Sequence, residues 1–145
     1  MRRAALGAGL LCVALGACAE GTPSADLFVV ERSGQNPGAN LTMLVTDGGF
    51  VRCNGGAEHM ITSEQLIEAR DIAHDLNDDD RQETEGLFKT VPSLPPRPGS
   101  QVRYVVRGED GTARFADNSA DAPEAYLKLQ RLVRTLAKEA CGLAR

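Results

Sequence analysis

Tryptophan is absent from this chain, and aromatic residues make up only 4% of it, as two Tyr and four Phe. Its core must therefore rest on Leu, Val and Ile. No apolar run reaches the roughly 20 residues that a membrane-spanning helix needs. Cysteine numbers four and histidine two, and no two cysteines have the CxxC spacing of a redox or zinc pair. No nucleophile elbow surrounds Ser24, Ser33, Ser63, Ser93, Ser100 or Ser119. No phosphate-binding glycine loop and no internal repeat is present; Gly48-Gly49 and Gly55-Gly56 read as turns. With no paired carboxylates in a recognisable setting, the expectation is a protein that is not an enzyme. No catalytic residue, cofactor or metal is expected. Positive charge is in the minority, with a net charge of −4. That argues against nucleic acid as a partner and against electrostatic docking on anionic lipid.

What the chain does carry begins with Met1-Arg2-Arg3, the apolar stretch Ala4 to Ala17, and Leu15-Gly16-Ala17-Cys18. A basic start, a short apolar segment and small residues before a cysteine are the pattern of a bacterial lipoprotein signal peptide. The expected division is a signal peptide at 1–17, a lipidated Cys18 with a short tether over 18–25, and one α+β domain over 26–145. Dual or higher acylation at Cys18 gives stable anchoring. A tether as short as Ala19 to Ser24 has a flexible reach of only about 15 Å. The expected location is thus the extracytoplasmic face of the cell membrane, held through the Cys18 lipid.

Loss of residues 1–17 removes Cys12, and Cys18 is taken by the lipid. Cys53 and Cys141 remain in an oxidising compartment and read as a disulfide pair. Their bond would close a loop of nearly the whole domain, which the chain-entropy account values at roughly 4–5 kcal/mol.

Along the mature chain, Asp26 to Arg32 reads as a strand. Ser33 to Asn40 is a loop by composition. Leu41, Met43 and Val45 alternate with Thr42, Leu44 and Thr46 as a half-buried strand, and Phe50 to Cys53 returns from the turn at Asp47-Gly48-Gly49. Thr62 followed by Gln65 predicts a capping box opening a helix with Leu66, Ala69, Ile72, Ala73 and Leu76 on one face. Glu64, Glu68, Asp71 and Asp75 lie on the other. Pro92, Pro95, Pro96 and Pro98 exclude regular structure until Gly99. Val102, Tyr104 and Val106 form a strand, and Ala113 and Phe115 its return. Asp121 and Glu124 read as a second N-terminal box. Tyr126, Leu129, Leu132, Val133, Leu136, Ala137 and Ala140 then line a long helix that stops at Gly142. The order β-β-β-α-β-β-α predicts an antiparallel sheet with two helices packed on one face, an α+β fold.

Four constellations bear on binding. Asp75, Asn77 and Asp79 have the odd-numbered spacing of a calcium loop, but Asp80 stands where glycine is needed and Gly86 where the bidentate Glu belongs. His74 lies among Asp71, Asp75 and Asp78 on helical spacing, with His59 distant; this reads as an exposed helix face. The stretch Pro92 to Pro98 reads as a stiff connector, with a polyproline ligand as the alternative. Lys128, Arg131, Arg134 and Lys138 make a basic stripe that reads as a solvated helix face, with contact to anionic headgroups as the alternative.

The segments SGQNPGANLTMLVTDGG, VRCNGG, VRYVVRGEDGTARFADNS and KEACGL, taken together, resemble small actinobacterial lipoproteins of unknown function. The resemblance runs from about Asp26 to Gly142. It implies an envelope location and no established activity. The order hairpin, helix, hairpin, helix and the glycine-bearing first loop are also similar to metalloprotease inhibitors of the emfourin type, although Gly48-Gly49-Phe50 falls in a later turn rather than in that loop. The inhibitor likeness makes the loops at Ser33–Asn40 and Pro92–Ser100 the candidates, because a rigid sheet displaying short loops suits an inhibitor. The candidate binding residues are Ser33, Gly34, Gln35, Asn36 and Pro37 in one loop and Pro95, Pro96 and Arg97 in the other. The expected function is a lipid-anchored binding or structural domain with an envelope protein or ligand as partner; inhibition of a secreted metalloprotease is the alternative.

Overall fold

The computed structural model describes residues 25–36 and 38–143. The signal peptide, Cys18, most of the tether and Pro37 lie outside the described residues. Strands β1 (Asp26–Gly34), β2 (Leu41–Thr46), β3 (Phe50–Cys53) and β4 (Glu58–Met60) are followed by helices α1 (Ser63–Leu76) and α2 (Leu87–Thr90). Strands β5 (Val102–Arg107) and β6 (Thr112–Ala116) and helix α3 (Glu124–Glu139) complete the chain. The strands form one sheet in the order β4-β3-β2-β1-β5-β6, and every pairing in it is antiparallel. The fold is thus α+β.

Alternation decides the layering. Phe28 and Val30, Leu41, Met43 and Val45, Val51, Tyr104 and Val106, and Ala113 and Phe115 all point to one face of the sheet and are buried. They meet Ala69, Ile72 and Leu76 of α1 and Tyr126, Leu129, Leu132, Val133 and Leu136 of α3 in a single core. Gln65 in the first turn of α1 donates to Glu139 in the last turn of α3 at 3.1 Å, which sets the start of one helix beside the end of the other. The acidic and basic outer faces of the two helices are not joined by any ion pair among the described residues.

The capping box at Thr62 forms as the sequence predicts: Gln65 N–H donates to the Thr62 hydroxyl, and the Gln65 side chain accepts from Thr62 N–H. The second box does not. Helix α3 is capped by Pro123 with no side-chain bond, and Asp121 sits in a left-handed turn at φ 51°, out of capping position. Pro123 disfavours helical geometry at Ala122 before it, so the helix opens only after the proline.

Two elements go beyond the expected order. Strand β4 is held by its ladder to β3, with Phe50 opposite Met60 and Arg52 opposite Glu58, and an Arg52–Glu58 ion pair of 2.7 Å reinforces it. Helix α2 places the buried Phe88 against the core. The proline segment also joins the sheet locally, because Ser93 bridges to Arg114 of the edge strand.

Gly86, at the N-cap of α2, packs against the end of α1. A side chain there would overlap the main-chain carbonyls of Leu76 and Asn77. Gly86→Ala is therefore expected to lower stability by about 1–3 kcal/mol, read as a shifted urea midpoint. An unchanged midpoint would show that the 77–86 loop yields freely.

Candidate functional site

The registers of β1 and β5 bring the two candidate loops to one end of the sheet. Gly34 pairs with Val102, and Ser33 with Arg103. Ser33, Gly34, Gln35 and Asn40 on one side and Ser100, Gln101 and Arg103 on the other enclose an open cleft of about 290 Å³. Glycine is required at its floor: a Cβ on Gly34 would stand 2.6 Å from the Gln101 carbonyl oxygen and 2.9 Å from the Ala39 Cβ.

Both walls are braced by local bonds. Arg32 Nε donates to the Ala39 carbonyl at 2.8 Å and its Nη2 to Gly38 at 3.0 Å. Gly34 N–H donates to the Asn40 side-chain oxygen at 3.3 Å. Across the cleft, the Asp117 carboxylate accepts from the Ser100 hydroxyl at 2.9 Å and from Gln101 N–H at 3.2 Å. Asn118 holds the proline loop, accepting from Arg97 N–H at 3.0 Å and donating to the Arg97 and Pro98 carbonyls. Bracing of this kind lowers the ordering cost of binding.

Ser33, Gly34 and Gln35 line the cleft, whereas Asn36, Pro95, Pro96 and Arg97 stand outside it as exposed loop residues. Pro37 lies outside the described residues. Gln101 and Arg103 are cleft residues that the sequence reading passes over; the only signal for Arg103 is its outward position in the alternation of β5. Arg103 is the one charged residue of the lining, and it makes no ion pair among the described residues. The remaining lining is hydroxyl, amide and main chain. The cleft can orient an anionic or acceptor-rich group, but it holds no acid and base facing each other across a reacting atom.

The acidic region is engaged in local structure. Asp78 pairs with Lys89 and accepts from Gly86 N–H at 2.9 Å. The Lys89 ammonium, with that N–H, holds its carboxyl below the usual range. Asp79 accepts from Arg81 N–H at 2.9 Å, and its second oxygen lies 3.9 Å from His74 Nε2. His59 sits on β4, away from His74. Among the described residues no three His, Cys, Asp or Glu side chains converge to hold a metal.

Cys53 at the end of β3 is bonded to Cys141 just beyond α3, with Cα atoms 6.2 Å apart. Among the described residues no helix is long and apolar enough to cross a membrane. Compared with family models, with curated proteins and with solved structures, the chain matches none.

Proposed function

We propose that this protein is a lipid-anchored, non-enzymatic domain on the extracytoplasmic face of the cell membrane, and that it binds an envelope protein or ligand at the cleft between 33–40 and 100–103. The observation that carries the binding role is the meeting of Ser33 to Asn40 with Ser100 to Arg103 in one braced cleft whose single cation, Arg103, has no ion pair among the described residues. The Cys53–Cys141 bond supports an oxidising location. The anchor rests on the Leu15 to Cys18 sequence.

Cys18→Ser tests the anchor. The native chain is expected in the membrane fraction with an intact mass that includes acyl groups on Cys18. The variant is expected to leave that fraction, since one residue carries all of the lipid. A native mass without acyl chains would refute the anchor.

Inhibition of a secreted metalloprotease is the second reading, favoured by the placement of both loops at the same end of the sheet. Unchanged peptide cleavage by a thermolysin-type protease at micromolar domain would remove it.

A further inference from the structure

The helices cover one face of the sheet. Among the described residues nothing covers the other, and its charge differs in sign from that of the whole chain. Register places Glu58, Arg52, Leu44, Val29, Arg107 and Thr112 in one row across it. The next row runs Thr42, Glu31, Val105 and Arg114, and Ser33 and Arg103 follow. The two acids are already engaged, Glu58 with Arg52 and Glu31 with Arg107. Arg103 and Arg114 make no ion pair among the described residues. They are diagonal neighbours, because Arg103 faces Ala116 and Arg114 faces Val105. Such neighbours lie roughly 7–8 Å apart, close enough for like charges to repel. The face therefore presents a net positive charge between half-buried Val29, Leu44, Val105 and Phe50, with Met60 exposed at its margin.

We propose that this uncovered face docks on an anionic lipid bilayer, Arg103 and Arg114 supplying the charge that headgroup phosphates neutralise. The inference rests on the anchored reading, because a tether of about 15 Å keeps the sheet beside the bilayer that holds Cys18. Charge complementarity selects this face over the helical layer. The basic stripe of α3 shares its layer with Glu64, Glu68, Asp71 and Asp75 of α1 and with the acidic 78–85 loop. Anionic lipid would repel that layer, and it points away from the sheet's uncovered side. The whole-chain charge of −4 conceals this segregation. Docking would leave the helical layer toward the aqueous side and the mouth of the cleft, shared through Arg103, at the membrane margin.

The test uses residues 25–145, which contain every core residue and the disulfide, in co-sedimentation with phosphatidylcholine vesicles with and without phosphatidylglycerol. Binding is expected only with phosphatidylglycerol and is expected to weaken with added salt. Arg103→Glu/Arg114→Glu is expected to weaken it at least about tenfold. Arg103→Gln/Arg114→Gln, which adds no acid to the strands, should act in the same direction with a smaller effect. Arg131→Glu/Lys138→Glu on α3 should leave binding unchanged. No binding to phosphatidylglycerol vesicles overturns the proposal. So does an Arg103/Arg114 variant that binds like the native domain, or a loss confined to the α3 variant. An unacylated native chain whose domain still binds would remove the anchor and keep the surface. An acylated chain whose domain ignores phosphatidylglycerol would do the reverse.

Discussion

Replacing Cys53 and Cys141 together by serine is expected to lower the stability of the domain by about 4–5 kcal/mol. The bond spans 88 positions of sequence, so its removal frees most of the unfolded domain from a covalent constraint. Loss of this size is a large fraction of the roughly 5–15 kcal/mol that holds a domain of this kind. The paired substitution leaves no odd thiol to form intermolecular bonds. The bond also joins layers: Cys53 ends a strand near the β4 edge, and Cys141 follows the helix that covers the core. Urea unfolding should show a lowered midpoint for the double variant, matched by the native protein under reductant. Equal midpoints for oxidised and reduced protein would mean that core packing alone fixes α3 on the sheet.

Consequences for location follow from the same bond. A domain that depended on it to this extent would reach full stability only where cysteines are oxidised. The proposed export and the disulfide therefore reinforce each other on independent residues, Cys18 for one and Cys53 with Cys141 for the other.

Those elements were legible in the sequence that bury a face of their own. Leu41, Met43 and Val45 alternate, and the Tyr126 to Ala140 stripe has helical spacing; both describe burial directly. The capping box at Thr62 is likewise a local event, completed within four residues. Strand β4 was not legible because Glu58, His59 and Met60 are all exposed, so no pattern of burial marks it; pairing with β3 alone makes it a strand. The failure of Asp121 to cap α3 reflects the competing geometry of Pro123. The candidate loops were readable as loops except at Ser33 and Gly34, which the pairing with β5 draws into β1, and their convergence depends on the register that sets Gly34 against Val102. Residues so far apart in sequence carry no local sign of that register, and Arg103 was missed for the same reason. The uncovered arginine face was hidden in a different way: a net charge sums over faces that the fold separates.

Tyr126 sets the remaining large effect. It is fully buried and stacks on Phe115 with ring centroids 4.4 Å apart, while Phe115 stacks in turn on Tyr104 at 5.2 Å. The ladder runs from the sheet into α3. Tyr126→Ala is expected to cost about 3–5 kcal/mol, because the cavity would open at the junction of the layers. The Tyr126 hydroxyl donates to the Val91 carbonyl at 2.6 Å, fixing the start of the proline loop. Tyr126→Phe keeps the ring and removes that bond, for a smaller loss of about 1–3 kcal/mol. The two variants separate packing from hydrogen bonding. A pH series gives a further readout. Burial pushes the Tyr126 phenol up to about 12, from an ordinary value of about 10. The folded state thus keeps a proton that the unfolded state gives up, so the unfolded state binds fewer protons between those values. Stability is undiminished below about pH 10 and falls as pH rises toward 12. Burial raises Tyr104 as well, so Tyr126→Phe should flatten part of the decline and leave the Tyr104 share. A decline of the same slope in Tyr126→Phe would assign the alkaline loss to other groups and remove Tyr126 from it.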